Sequence, residues 1–230
     1  MRVEAVALEA PAGRPPAVKP AAAPDVSEFG DPRFRALLPE AQWASLPLAI
    51  RRRFSKRLAN GATAVYAGEV LETWMSRCGW LLAQAVRAIG GPLPLTRSRH
   101  VPAVVTVTED RAMRGQVWMR LYGRRGGFPQ VIHSCKRFAG PTGLEEYVGC
   151  GVGMTLTVDA REGALIFRSK DYFFELFGRR LMLPKWLSPG AVLVTHAELP
   201  DGRFSFTLQL IHPRFGVLIR QMAMFREVAS

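Results

Sequence analysis

A chain of 230 residues, 48% of them hydrophobic and 10% aromatic, carries enough apolar material for one domain-sized core, which excludes a wholly disordered chain. Its net charge of +12 favours anionic partners: nucleic acid, phospholipid headgroups or acidic ligands. Nearly all the cations are arginine, with lysine only at positions 19, 56, 136, 170 and 185, a skew that coding composition would also produce.

Residues 1–30 hold Pro11, Pro15, Pro16, Pro20 and Pro24 among alanines. With no apolar periodicity to bury, they read as a leader or linker ahead of a domain over 31–230. A helix is predicted over 46–59, with Ser45 as cap, Pro47 in the first turn and Ile50, Phe54 and Leu58 as its apolar stripe. Arg51, Arg52, Arg53, Lys56 and Arg57 take its other faces, and Asn60-Gly61 stops it. A strand follows over 62–73. The next helix, 73–89, has Trp74, Cys78, Leu81, Leu82, Ala85 and Ile89 on one face and ends at Gly90-Gly91-Pro92.

From there to the C-terminus the texture is strand and turn. Strands are predicted at 102–109, 114–123, 129–138, 144–150, 152–160, 163–176, 191–199, 203–212 and 216–226. Phe204, Phe206, Leu208 and Leu210 alternate with Arg203, Ser205, Thr207 and Gln209, the mark of an antiparallel sheet with one buried face. Helices do not alternate with strands, so a parallel βαβ fold is not expected. The expected class is α+β: a large curved antiparallel sheet, or a partly closed barrel, with two N-terminal helices packed on it.

Several stretches carry chemistry worth weighing. Gly149-Cys150-Gly151-Val152-Gly153 lacks both the spacing and the following helix of a nucleotide loop, and reads as a bend. Trp118, Arg120 and Tyr122 share one strand face, suited equally to the wall of a pocket gripping an anionic or carbonyl-bearing ligand and to a structural arginine between aromatics. His133, Cys135 and Arg137 share a face opposite Ser134 and Lys136. Glu145 and Glu146 point to opposite sides, so only one can face inward, where it would pair with Arg120. The run Tyr172–Trp186 reads as a core hairpin, because large apolar side chains are usually inside; exposed, it would suit a membrane interface or a ligand portal. No metal-ligand spacing is seen, and neither metal nor cofactor is expected. Three cysteines without ligand spacing, and no apolar signal core, point to reduced thiols in the cytoplasm. No apolar run reaches the ~18 residues of a spanning helix.

Over about Phe34 to Arg226 the order of short motifs resembles an uncharacterised bacterial family, domain of unknown function 4166. The motifs are Gly90-Gly91-Pro92, Trp118-x-Arg120-x-Tyr122-Gly123, Ser134, Gly140-Pro141, Gly163-x-Leu165, Leu181-x-Leu183-Pro184, Asp201-Gly202-x-Phe204 and Gly216-x-Leu218-Ile219. The resemblance implies a domain boundary and no transferable activity. This chain departs from the family's usual aromatic and glycine near the C-terminal end, at Gln221 and Ala223.

The leading expectation is a small-molecule binding domain enclosing an apolar or amphipathic ligand, with Trp118, Arg120, Tyr122, His133 and Arg137 as its polar wall. The alternatives are a cofactor-independent isomerase or cyclase using His133 or Glu145 as base, and a binder of anionic membrane or polyanion through the Arg51–Arg57 helix and the basic stretch near Arg179.

Overall fold

The alternation of apolar and polar residues extends through ten strands, most of them joined by tight turns to the strand they pair with. A computed structural model describes residues 30–58 and 61–228; the proposed leader lies outside them, save Gly30. The strands are β1 (Thr63–Met75), β2 (Ser98–Asp110), β3 (Gly115–Tyr122), β4 (Gln130–Arg137), β5 (Glu145–Gly149), β6 (Val152–Arg161), β7 (Ala164–Leu176), β8 (Arg179–Met182), β9 (Ala191–Glu198), β10 (Arg203–His212) and β11 (Gly216–Glu227). All pairings are antiparallel. They run in chain order from β1 to β7, then β9, β10 and β11, and β11 returns to β1, so ten strands close an up-and-down barrel. Closure removes the exposed edges that an open sheet would present. The short β8 folds back on the second half of β7.

One seam is incomplete. β7 pairs with β9 only over Ala164–Arg168. Beyond that, side chains bridge the gap: the Ser169 hydroxyl accepts from the Val192 amide at 2.9 Å, and the Tyr172 hydroxyl donates to the Gly190 carbonyl at 2.8 Å.

The fold is mostly β, a closed barrel with an extra strand and a few helices toward the N-terminus, in broad agreement with the expected class. The helices are shorter than the sequence pattern predicts. Helices α1 (Glu40–Ser45) and α2 (Leu48–Phe54) close one end. The predicted 46–59 helix is shorter because Pro47 starts it and Ser45 ends the preceding helix, its hydroxyl donating to the Gln42 carbonyl. Ile50 and Phe54 are buried as their spacing demands. Phe54 meets the rings of Phe34, Phe167 and His196 at 5.1–5.7 Å, so an aromatic layer forms the barrel floor. Arg53 does not stand on a solvated face: its guanidinium lies 3.7 Å from the Phe204 ring centroid and pairs with Glu198 at 2.9 Å.

Helix α3 (Arg77–Ala85) lies in the long β1–β2 connection at the other end. Ser76 caps it by accepting from the Gly79 amide at 3.0 Å, so β1 continues through Trp74 and Met75, where the sequence pattern places helix. The buried face of α3 runs through Gly79 and Ala83, while Trp74, Cys78, Trp80 and Leu81 are exposed. Gly79 is the reason. A Cβ there would overlap the Leu218 carbonyl oxygen, so the helix approaches β11 backbone to backbone and turns its larger residues outward.

On β10 the inward positions are apolar, and the outward Arg203, Ser205, Thr207 and Gln209 are at least partly solvated. This polarity is the reverse of barrels that span membranes. No helix among the described residues is long and apolar enough to cross one.

Candidate functional site

A barrel of ten strands is wider than the eight-stranded kind whose interior side chains just fill. Above the aromatic floor a cavity of about 310 Å³ remains. Its floor and walls come from Trp118, Arg120 and Tyr122 of β3, Ser134 and Lys136 of β4, Glu146 of β5, and His196 of β9. Toward the opening the lining turns apolar: Val86 and Ile89 after α3, Val192 and Leu208, and Leu183 and Leu187 beside β8. A side chamber of about 20 Å³ runs deeper between Arg53, Trp118, Arg120, His196 and Phe204.

The register explains who meets whom. β3 pairs with β4 so that Trp118 opposes Ser134 and Arg120 opposes Ile132, and β4 pairs with β5 so that Lys136 opposes Glu146. These residues therefore share the inner face. The Glu146 carboxylate collects its partners on one oxygen. Oε1 accepts from the Ser134 hydroxyl at 2.6 Å, lies 3.1 Å from Lys136 Nζ, and is 3.5 Å from the Arg120 guanidinium. Arg120 also reaches Ser134 Oγ at 3.3 Å, and Lys136 Nζ sits 5.0 Å from the Trp118 ring centroid.

The electrostatics follow from burial. Loss of water alone would raise the Glu146 carboxyl, but Lys136, Arg120 and the Ser134 hydroxyl together pull it down to about 2. Burial pushes the Lys136 ammonium below the ordinary lysine range, with Arg120 adding to the effect and Glu146 opposing it. His196 is held well below 6.5, first by burial and then by the charges of Arg53, Lys136 and Arg120, so it is neutral. Burial raises the Tyr122 hydroxyl. Two basic side chains thus face one carboxylate. Trp118 Nε1 and His196 Nδ1, both in buried side chains at the cavity floor, have no hydrogen-bond partner among the described residues.

Trp118, Arg120 and Tyr122 come together as a wall and His133 is also among the lining residues, but Arg137 and Glu145 do not join them. The β4 strand turns its Ser134/Lys136 face inward, leaving His133 exposed opposite Met119. Arg137 stacks 3.6 Å from the Tyr147 ring centroid, on the same side of the sheet. Glu145 is fully buried but on the opposite face from Glu146, held by Arg180 at 2.5 Å under the Gly140 turn. Of the two proposed bases, Glu145 does not reach the cavity, whereas His133 is among its lining residues, with its side chain on the exposed face of β4. Ser134, Lys136 and His196 are the residues that sequence reasoning did not select, and Glu146 is the inward member of the glutamate pair that it left open. A trace existed for His196, which continues the alternation of Val192 and Val194 on one face of β9.

The Gly149–Gly153 run makes the β5–β6 turn. Gly149, Cys150 and Gly151 all have positive φ, and a Cβ on Gly149 would overlap the Ile89 carbonyl oxygen, which fits the bend reading. The Tyr172–Trp186 run is not a core hairpin. Phe173 is buried and Tyr172 lines the cavity, but Leu176, Phe177, Leu181, Met182 and Trp186 are exposed, as is Leu187 just beyond the run. The Phe177-Gly178 turn, with both residues at positive φ, carries the hairpin tip beyond the barrel end.

Fold and cavity define a closed antiparallel β-barrel with a polar cluster set inside an apolar lining. No curated protein and no solved structure matches this chain. Residues 46–225 match the model of a family described as a domain of unknown function, DUF4166, and the chain belongs to that family.

Proposed function

We propose that the protein is a small-molecule binding barrel that encloses an amphipathic ligand in this cavity. The observation that carries the reading is the imbalance inside it: Arg120 and Lys136 share one carboxylate, next to the unpartnered Trp118 Nε1, in a cavity whose lining is otherwise mainly aliphatic and aromatic. An unmet donor and a surplus cation in low dielectric are costly unless an acceptor arrives. The ligand head therefore carries an anionic oxygen and points to the floor, and its apolar tail runs toward Val86, Ile89 and Leu187. The volume is at the small end of the range of ligand sites.

Native mass spectrometry of the gently purified protein, followed by denaturing extraction, reads out a retained ligand. In parallel, dansyl-labelled undecanoate is titrated by fluorescence. Saturable binding is expected. Lys136→Met should weaken it about tenfold or more, since a charge-assisted hydrogen bond contributes about 1.5–3 kcal/mol. Leu208→Trp and, separately, Val194→Phe should abolish it by filling the cavity. Absence of both adduct and saturable binding, or binding undiminished in folded cavity-filled variants, defeats the reading.

A further inference from the structure

The barrel has two unlike ends. The antiparallel meander brings residues 76–97, 123–129, 150–151, 177–190 and 213–215 to the end opposite α1 and α2, and none of these segments contains an aspartate or glutamate. They do contain exposed cations: Arg77 and Arg87 around α3, Arg124 and Arg125 in the β3–β4 loop, Arg179 and Lys185 around β8. The opposite end carries Asp31, Glu40, Glu162 and Asp201, and its only large exposed hydrophobics among the described residues are Met113 and Val228.

At the acid-free end, protruding apolar side chains stand among the cations. Phe177, Phe128 and Trp186 are 95%, 93% and 79% exposed, and Leu181, Met182 and Leu187 are also out in solvent. Scattered exposed hydrophobics need no explanation, but their convergence on one end does. An open groove of about 530 Å³ on this side gathers Arg97, Arg99, Arg124 and Arg125 beside Trp74 and one carboxylate, Glu72. Arg99 is engaged by Glu72; Arg124 and Arg125 pair with no carboxylate among the described residues.

We propose that this rim is a membrane-docking surface that seats the cavity mouth on anionic phospholipid, with Phe128, Phe177 and Trp186 entering the interface and Arg124 and Arg125 meeting lipid phosphates. Amphipathic aromatic rings and cations together suit the headgroup region. A polynucleotide would use the cations and the rings, but it has no use for Leu181, Met182 and Leu187. The cavity opens inside this rim, lined there by Leu183 and Leu187, so a docked barrel would exchange its ligand with the bilayer without exposing it to water. Docking itself does not require the cavity to hold a ligand, so it stands or falls separately from the binding reading.

The test is co-sedimentation of the full chain with vesicles of phosphatidylcholine, with and without phosphatidylglycerol. Binding to the mixed vesicles, weak binding to phosphatidylcholine alone and loss with salt are expected. Arg124→Gln with Arg125→Gln should weaken partitioning about thirtyfold, taking about 1 kcal/mol per cation. Phe128→Asp with Phe177→Asp should remove it. Arg114→Gln with Arg161→Gln deletes the same charge from the far end and should leave binding unchanged. Equal loss from the far-end pair would reduce the effect to net charge. Undiminished binding of the Phe pair would exclude insertion, and RNA or heparin binding without vesicle binding would assign the rim to a polyanion; each of these overturns the proposal.

Discussion

The buried cluster makes an asymmetric prediction, because Glu146 serves two cations and is the carboxylate that each of them pairs with. Replacing Glu146 with Gln leaves Lys136 and Arg120 facing each other with side chains only 8% and 13% exposed. Removing one member of a buried ion pair costs about 3–5 kcal/mol. The depressed carboxyl gives a compatible figure. A carboxyl that falls from 4.5 in the unfolded chain to about 2 in the fold corresponds to about 3 kcal/mol of stability at neutral pH. Its folded value is depressed, so this contribution is full above 4.5 and is lost as pH falls toward 2. Lys136→Met removes the closer of the two cation contacts, 3.1 against 3.5 Å, but leaves a balanced Arg120–Glu146 pair, so it should cost less, about 1–2 kcal/mol. Urea unfolding at pH 7, followed by circular dichroism, measures both, and the double variant should be less damaged than the sum of the two. If Glu146→Gln is within about 1 kcal/mol of the parent, or Lys136→Met is equally harmful, the cluster is not arranged as described.

Two further predictions concern the same barrel. His196 is buried neutral and its folded value lies well below 6.5, so the unfolded chain binds the extra proton; stability should fall by up to about 1.4 kcal/mol per pH unit as pH drops below 6.5. His196→Gln should flatten that slope between pH 6.5 and about 5 in urea titrations, whatever its absolute stability; an unchanged slope removes His196 as the cause. Gly79→Ala tests the contact of α3 with β11. Helix propensity alone would gain about 1 kcal/mol from the added methyl, but the Leu218 carbonyl occupies its place, so a net loss of about 1–3 kcal/mol is expected. A raised melting temperature would refute the close approach.

The positions of the barrel strands were legible in the sequence because alternation and turn chemistry are local: all ten barrel strands fall where the pattern puts them, within a few residues. The short β8 escaped because four exposed residues, Arg179–Met182, carry no alternation toward a core. Likewise α1, six residues long with only Trp43 buried, offers too little periodicity to read. Helix α3 was found but its face was misassigned, since a glycine at a backbone contact registers as a helix weakness rather than as the buried side.

Alternation also says that Trp118, Arg120 and Tyr122 share one face, and that Ser134 and Lys136 share another, but a strand apolar on both sides does not announce which side is inner. That choice belongs to register. Once Trp118 opposes Ser134 and Lys136 opposes Glu146, the inner set is Ser134, Lys136 and Glu146, and His133, Arg137 and Glu145 are turned away. The sequence by itself determined the strands, the turns and the amphipathic faces, all consequences of neighbouring residues. Closure of β11 on β1, the polar cluster inside and the acid-free rim around the mouth were decided only by the tertiary structure, because each joins residues far apart in the chain whose meeting no local pattern encodes.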